Sequence, residues 1–222
     1  MIYVVKHKPY TLPDLPDGYK SICVGGYSEP EAIGCSEGEN IERLNVKLNE
    51  LTAFWWLWKH TDDAIIGVDH YRAYLGENIL TMPEIEEMLN ESDIILHPYS
   101  IRHTVEINIM MSGMNGGEKA VNIVRRHLPV GYGTAWDEVM RSRWFYVKNL
   151  MIARREVFDA YCDWLFSFII DAADEYKPMP GCLFQEKRAV GYVAEAMLSV
   201  WVRAQGLKVK ESPAVILGYQ GA

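Results

Sequence analysis

"AIIGVDHYRAYL", residues 64–75, is the stretch whose reading decides the fold. Ile65, Ile66, Gly67 and Val68 form a near-continuous apolar run, as expected of a strand covered on both faces of a sheet. The run empties into four polar or amphipathic residues, Asp69, His70, Tyr71 and Arg72. In open α/β sheets, ligands bind outside the carboxyl ends of the strands. A central strand over 65–68 therefore places residues 69–72 at the rim of a cleft. Two readings of that tetrad stand side by side. It can hold a diphosphate, with Arg72 offering a planar fork to phosphate oxygens and Asp69 ligating Mg2+ or Mn2+ or accepting from a ribose hydroxyl. It can equally be a strand end whose polar groups cap a helix or form an ion pair, and spacing alone does not choose.

Outward from this stretch, strands and helices alternate. "IYVVK" (2–6) and "SICVGG" (21–26) are rich in β-branched and small apolar residues and read as strands. Residues 45–60, "NVKLNELTAFWWLWKH", carry apolar side chains at Leu48, Leu51, Phe54, Trp55 and Trp58, which predicts one helix with Asn45 as its cap. "MPEIEEMLNES" predicts a short helix with Pro in its first turn, and "DIILHPY" (93–99) a buried strand. The segment 100–133 contains "MMSGMNGGEK", expected to include a mobile loop. "TAWDEVMRSR" reads as a helix and "WFYVKNLMIA" (144–153) as a strand. Two long amphipathic helices follow, over 155–176 and 185–205, and then two β-leaning pieces, "LKVKE" and "AVILGY". The alternation predicts an α/β architecture, a mostly parallel central sheet flanked by helices, with a helical C-terminal part.

The totals narrow the function classes. A chain of 222 residues fits one domain and can bury a sizeable core. The net charge of −8 argues against a dedicated nucleic-acid binder, because phosphate contacts require a basic face. Cys23, Cys35, Cys162 and Cys182 are scattered, with neither the spacing of a zinc site nor that of a disulfide framework, and read as reduced thiols. The apolar run before Lys6 is too short for a signal peptide, and no segment has the length of a spanning helix. A soluble, cytoplasmic protein is expected, able to sit on a membrane surface.

Few other side chains suggest chemistry. Glu50 and Thr52 stand among aromatic residues of the 45–60 helix, as either a solvated face or the wall of a site. Glu195, in "VGYVAEAML", is a candidate general base, although most helical glutamates are inert. Glu186, Glu138 and Asp137 carry less signal. "GMNGGEKA" is not a phosphate-binding P-loop, since its Gly–Lys spacing is wrong and no Ser or Thr follows Lys119. His97 and His103 lack the company that metal ligation needs.

Five motifs in order, "IYVVKHKPY", "ENIERLNVKLNELTAFWWLWKH", "IIGVDHYRAYL", "YVKNLMIARREVFDAYCDWLF" and "VGYVAEAMLSVWVRAQGLKVKESP", resemble a family of bacterial proteins from capsular and exopolysaccharide gene clusters. That family was long catalogued as a domain of unknown function, is treated as glycosyltransferases, and includes galactofuranosyltransferases. The resemblance covers nearly the whole chain. Asn40 and Asn45 fall on the family's asparagines, Glu50–Ala53 on its E-L-T-A, His70-Tyr71-Arg72 on its H-Y-R, Tyr74 on its later tyrosine and Glu195 on the glutamate of its last motif. Ala73 and Ala196 stand where the family carries arginines, and Asp69 where an uncharged residue is usual.

The resemblance implies a GT-A-like, Rossmann-like glycosyltransferase moving a hexose such as galactofuranose from a nucleotide-diphosphate donor, UDP-linked, to a glycan hydroxyl in surface or capsular polysaccharide synthesis. It implies one domain over 1–222, with 1–99 the nucleotide-sugar half and 100–222 the acceptor side. Val5, His7, Glu50, Thr52, Asp69 and Tyr71 would frame the donor, with His70 and Arg72 stabilising the departing diphosphate. Glu195 would be the base if the mechanism inverts, and Asn149 and Tyr192 would face a glycan or lipid-linked oligosaccharide acceptor. Asp69 would hold Mn2+ or Mg2+ if a metal takes part; the alternative expectation is that His70 and Arg72 replace its charge. The location implied is the cytoplasm, at the inner face of the membrane. Two rivals are a nucleotide-sugar hydrolase or nucleotidyltransferase using the same cleft, and a non-catalytic module that binds glycan or nucleotide.

Overall fold

A computed structural model describes residues 1–218 of the chain. Its strands are β1 (Ile2–Lys6), β2 (Tyr19–Cys23), β3 (Ile33–Gly34), β4 (Ile65–His70), β5 (Ala73–Leu75), β6 (Ile94–Ser100), β7 (Trp144–Arg154), β8 (Val209–Glu211) and β9 (Ala214–Ile216). Its helices are α1 (Asn45–Leu48), α2 (Leu51–His60), α3 (Met82–Asn90), α4 (Val105–Ser112), α5 (Gly117–His127), α6 (Gly133–Arg141), α7 (Arg155–Phe166), α8 (Ile169–Glu175), α9 (Phe184–Lys187) and α10 (Ala189–Gln205). Tyr219, the last residue of the expected "AVILGY" strand, lies outside the described residues.

The main sheet runs β3-β2-β1-β4-β7-β6-β8, with β5 paired to β4 and β9 to β5. β1 is parallel to β2 and β4, and β6 is parallel to β8. Only β7 opposes its neighbours on this path, pairing antiparallel with both β4 and β6. This path is therefore mostly parallel, as its apolar strands predict, while β5 and β9 add antiparallel pairs beside it. β7 comes from the second half of the chain yet sits between two strands of the first, so one sheet runs through both halves.

Strand alternation sorts β4 into two faces. Ile66 and Val68 pack into the large core with α2, α7 and α10, whereas Ile65 packs with Ile2, Leu75 and Ile152 toward α3 on the other side. α10 is apolar on nearly all sides, with Val190, Val193, Met197 and Trp201 among its buried residues, and is a central helix rather than a surface one. It ends on Gly206, whose left-handed φ of 64° closes the last turn. Among the described residues no helix is long and apolar enough to cross a membrane.

Several expectations are corrected. The single helix over 45–60 is two, because Asn49 takes φ 52° and ψ −129° between α1 and α2, and Asn45 caps neither. The helices over 155–176 and 185–205 are likewise divided, at Ser167–Phe168 and at Arg188. The Gly-rich segment near 113–117 is a helical corner between α4 and α5. There the glycines permit close packing: a Cβ on Gly117 would stand 2.6 Å from the Met110 backbone, and one on Gly116 would meet the Tyr176 hydroxyl.

Candidate active site

Four pieces of chain converge at the carboxyl ends of β1 and β4: the α1–α2 joint, the β4 end, a bulge in β7, and α10. The joint is held by side chains. The Asn49 carbonyl accepts from Asn45 Nδ2 at 3.0 Å and Thr52 Oγ1 at 2.9 Å, and Asn45 Nδ2 also reaches Thr52 Oγ1 at 2.9 Å. The bulge arises where the β6–β7 ladder steps from Leu96–Met151 to Pro98–Tyr146, which leaves extra residues in β7. Pro98 has no N–H to keep the ladder in register. Lys148 and Asn149, inside the bulge, both take positive φ, 63° and 50°. With Asn49, three non-glycine residues in the left-handed half of φ surround one cleft, each costing about 1–3 kcal/mol.

The bulge presents groups to the cleft. Asn149 Nδ2 donates to Glu50 Oε1 at 2.7 Å, and the same oxygen lies 3.8 Å from His70 Nε2. Glu195 Oε1 accepts the Lys148 backbone N–H. Arg188 Nε donates to Asn49 Oδ1 at 2.8 Å, its guanidinium lying between the rings of Phe184 and Tyr192 at 5.4 and 5.7 Å. Asn149 Oδ1 and His70 Nε2 are buried with no hydrogen-bond partner among the described residues. Buried polar atoms are rarely left so, which makes these two candidates for contact with a ligand.

Electrostatics sharpen this. Burial, then repulsion from Glu50, pushes the Glu195 carboxyl up to about 7, while Lys148 and Arg188 oppose the rise. Burial raises Glu50 as well, against hydrogen bonds from its own backbone and Asn149. His70 is pushed down to about 4 by burial and by the charges of Lys148 and Arg72. The cluster thus holds two carboxyls raised by burial and an imidazole held low, with the charges of Lys148, Arg188 and Arg72 nearby. Opposed shifts among neighbouring titratable groups make this cluster a candidate for acid–base chemistry.

A family model described as a domain of unknown function (DUF4422) matches residues 1–206. The chain belongs to this family. No curated protein matches it. The structure superposes on the apo structure of the bifunctional glycosyltransferase WbbM with a TM-score of 0.81 and 24% identity, covering 98% of this chain and 45% of that one. This DUF4422 chain therefore spans less than half the length of that protein and shares its fold. The mixed α/β sheet with its helical C-terminal region matches the fold of the part of that glycosyltransferase on which it superposes.

Within the DUF4422 chain, Glu50, His70, Asn149 and Glu195 come together, as the contacts above describe. His7 stands exposed at the carboxyl end of β1, its ring 5.3 Å from Tyr71, and Arg72 lies over the Tyr71 ring at 5.0 Å. Tyr71 itself is buried. Tyr192 flanks Arg188. Thr52 is spent on the Asn49 turn. The Val5 side chain is in the core, and its carbonyl accepts the Tyr71 N–H at 3.2 Å.

Asp69 departs furthest from expectation. Alternation along β4 turns it away from His70, toward β5, where Oδ1 accepts the Leu75 N–H at 3.2 Å. It is wholly buried, and burial pushes its carboxyl up to about 8, which favours the protonated form at pH 7. A divalent cation needs ionised oxygens open to the cleft, and Asp69 does not fit that task. Among the described residues no three His, Cys, Asp or Glu side chains form a set that could hold a metal.

Lys148, Arg188 and Asn49 escape a reading of the sequence. Lys148 looks like an ordinary solvent-facing strand residue until the bulge aims its N–H at Glu195. Arg188 is one basic residue in "QEKRAV", with nothing in its spacing to tie it to Asn49, 139 positions away.

Proposed function

We propose that the chain transfers a hexose from a nucleotide-diphosphate donor, UDP-linked, to a hydroxyl of a glycan. The observation that carries the reading is the meeting of Glu50, His70, Asn149 and Glu195 at the carboxyl ends of β1 and β4, where such sheets bind ligands: Asn149 donates to Glu50, the same oxygen lies 3.8 Å from His70 Nε2, and Glu195 accepts the Lys148 N–H. Glu195 takes the proton of the acceptor hydroxyl. The acceptor oxygen forms a bond to the anomeric carbon as the bond from that carbon to the diphosphate breaks, its electron pair leaving with UDP. Arg72, Lys148 and Arg188 oppose the charge gathering on the diphosphate. His70 is neutral before the donor arrives; its unpartnered Nε2 can bind a proton as the diphosphate draws near, because an anion raises the imidazole pKa. No step calls on a metal.

The reading makes residues 1–222 one catalytic unit, with Glu50 and His70 from the donor half meeting Asn149 and Glu195 from the acceptor half. It places the protein in the cytoplasm, at the inner membrane face where the acceptor is lipid-linked, in the making of surface or capsular polysaccharide. Galactofuranose is the first donor sugar to test, following the resemblance in the sequence.

The deciding experiment is a panel of UDP-hexoses assayed for binding and for transfer to oligosaccharide acceptors, with and without Mn2+ and EDTA. Transfer that is lost in Glu195→Gln, with UDP binding kept, supports the assignment. Donor hydrolysis with no glycosylated product would make the protein a nucleotide-sugar hydrolase instead. Binding without any turnover would make it a binding module.

A further inference from the structure

A cavity of about 580 Å3 lies at the far end of the helix that carries Glu195. That volume is within the range of small-molecule sites. Its wall includes Trp144, 46% exposed, set edge-on to Tyr146 with ring centroids 5.6 Å apart. Tyr146 is fixed in place: its N–H donates to Ser199 Oγ at 2.8 Å, and its hydroxyl reaches Glu211 Oε1 at 3.4 Å. A half-exposed indole in the wall of a concavity offers ring surface for stacking, apolar across the ring and polar at its N–H edge.

The charges in the wall select the ligand. Glu138, Arg203 and Glu211 line the cavity, and Arg203 is engaged by Glu138 at 3.2 Å. Glu211 then leaves the wall net negative, which disfavours a diphosphate or any other anion. What remains is a neutral ligand with an apolar face for the indole and hydroxyls to donate to carboxylates. A hexose ring has both, with C–H bonds on its faces and hydroxyls around its rim.

The cavity is also placed to matter. Glu195, Ser199 and Arg203 are spaced four residues apart and so share one face of α10. Two of them meet β7 in turn, Glu195 at the Lys148 N–H and Ser199 at the Tyr146 N–H, while Trp144 and Arg203 line the cavity beyond. Eight residues of helix put the cavity end about 12 Å from Glu195.

We infer that this cavity is a subsite for a neutral hexose unit of the acceptor glycan, with Trp144 as its stacking platform. The inference rests on the proposed transfer reaction for the word acceptor, but the binding itself is tested apart from it. The probes are neutral hexose di- and trisaccharides, matched oligosaccharides bearing a uronic acid, and UDP alone, each titrated while indole N–H resonances are followed by NMR. Neutral oligosaccharides are expected to shift the resonance that disappears in Trp144→Phe, and to bind at least tenfold more weakly to Trp144→Ala. UDP should bind wild type and Trp144→Ala alike, and the uronic-acid probes more weakly than the neutral ones. Because Trp144 is half exposed, the variant should fold; if it does not, Glu211→Gln, which removes an acceptor and the negative charge, should weaken neutral sugars and narrow the gap to the uronic acids. Failure of every neutral probe to move the Trp144 resonance overturns the inference, as does unaltered sugar binding in Trp144→Ala. Sugar binding at Trp144 in a protein that transfers no sugar would leave the cavity assigned and the proposed reaction refuted.

Discussion

Asn149 Nδ2 donates to Glu50 Oε1 at 2.7 Å, tying the β7 bulge to the start of α2 across 99 positions of sequence. The bond holds a carboxyl that burial strains and fixes where it stands beside His70. Asn149→Ala removes the donor and puts a Cβ-bearing residue less suited than asparagine at φ 50°. A lost hydrogen bond of this kind costs ~1–3 kcal/mol, which should show as a lower thermal midpoint together with reduced turnover. Asn149→Gly separates the two effects. Glycine accepts the backbone angle but supplies no amide, so part of the stability should return while turnover stays low. Full turnover in Asn149→Gly would show that the amide has no part in the reaction.

Glu195 sets an expected pH profile. Its carboxyl is pushed up to about 7, and a base works only when deprotonated. kcat/KM should therefore rise with pH through about 7, not through the usual carboxylate range near 4. Glu195→Gln should lose roughly 10²–10⁴-fold in rate, with no rise left at 7. Removing the repelling neighbour with Glu50→Gln should move the rising limb to lower pH, since Glu50 is the second cause of the shift. A limb that stays in place in Glu50→Gln would show that the two carboxyls do not share a field.

Asp69 affects stability in the opposite sense to a salt-bridged carboxylate. Its pKa is raised in the fold to about 8, so between about 4 and 8 the folded state holds a proton that the unfolded state has released. Stability is then present below the unfolded pKa and is lost as pH rises toward 8. Asp69→Asn keeps an acceptor for the Leu75 N–H and cannot ionise, so it should flatten this decline in thermal melts from pH 5 to pH 8. Turnover should survive both this substitution and EDTA, because Asp69 faces away from His70. A Mn2+ requirement that disappears in Asp69→Asn would make Asp69 a ligand after all.

How much of this was legible in the sequence depended on distance along the chain. The central strand at 65–68 and its polar end could be read because apolar runs and their termini are local patterns, and β4 carries both. His70 and Glu195 were within reach for the same reason, helped by the family's ordered motifs. The place of Asp69 was less legible, because a strand end read as one block hides the alternation that sends residues 69 and 70 to opposite faces. The joint at Asn49 was hidden because the apolar spacing runs straight through it. The bulge depends on pairing between Pro98 and Tyr146, and Arg188 on Asn49; such long-range partners leave no local periodicity to find.

Gly191 offers a way to disturb the site from behind. It faces the α1–α2 joint at the start of α10, and a Cβ there would lie 2.6 Å from the Lys47 carbonyl and press into the Asn49 amide. Neither neighbour is a flexible tip, since the Asn49 side chain is engaged by Arg188 at 2.8 Å. Gly191→Ala should cost ~1–3 kcal/mol by overpacking and should push Asn49 off Arg188. If Arg188 supports the donor diphosphate, the KM for donor rises in Gly191→Ala more than kcat falls, as it does in Arg188→Ala. The double variant then shows little further loss, because both changes remove the same cation, with a coupling of ~0.5–3 kcal/mol. Strictly additive effects on donor KM would mean that Gly191 serves packing alone and that the Asn49–Arg188 arm does not reach the substrate.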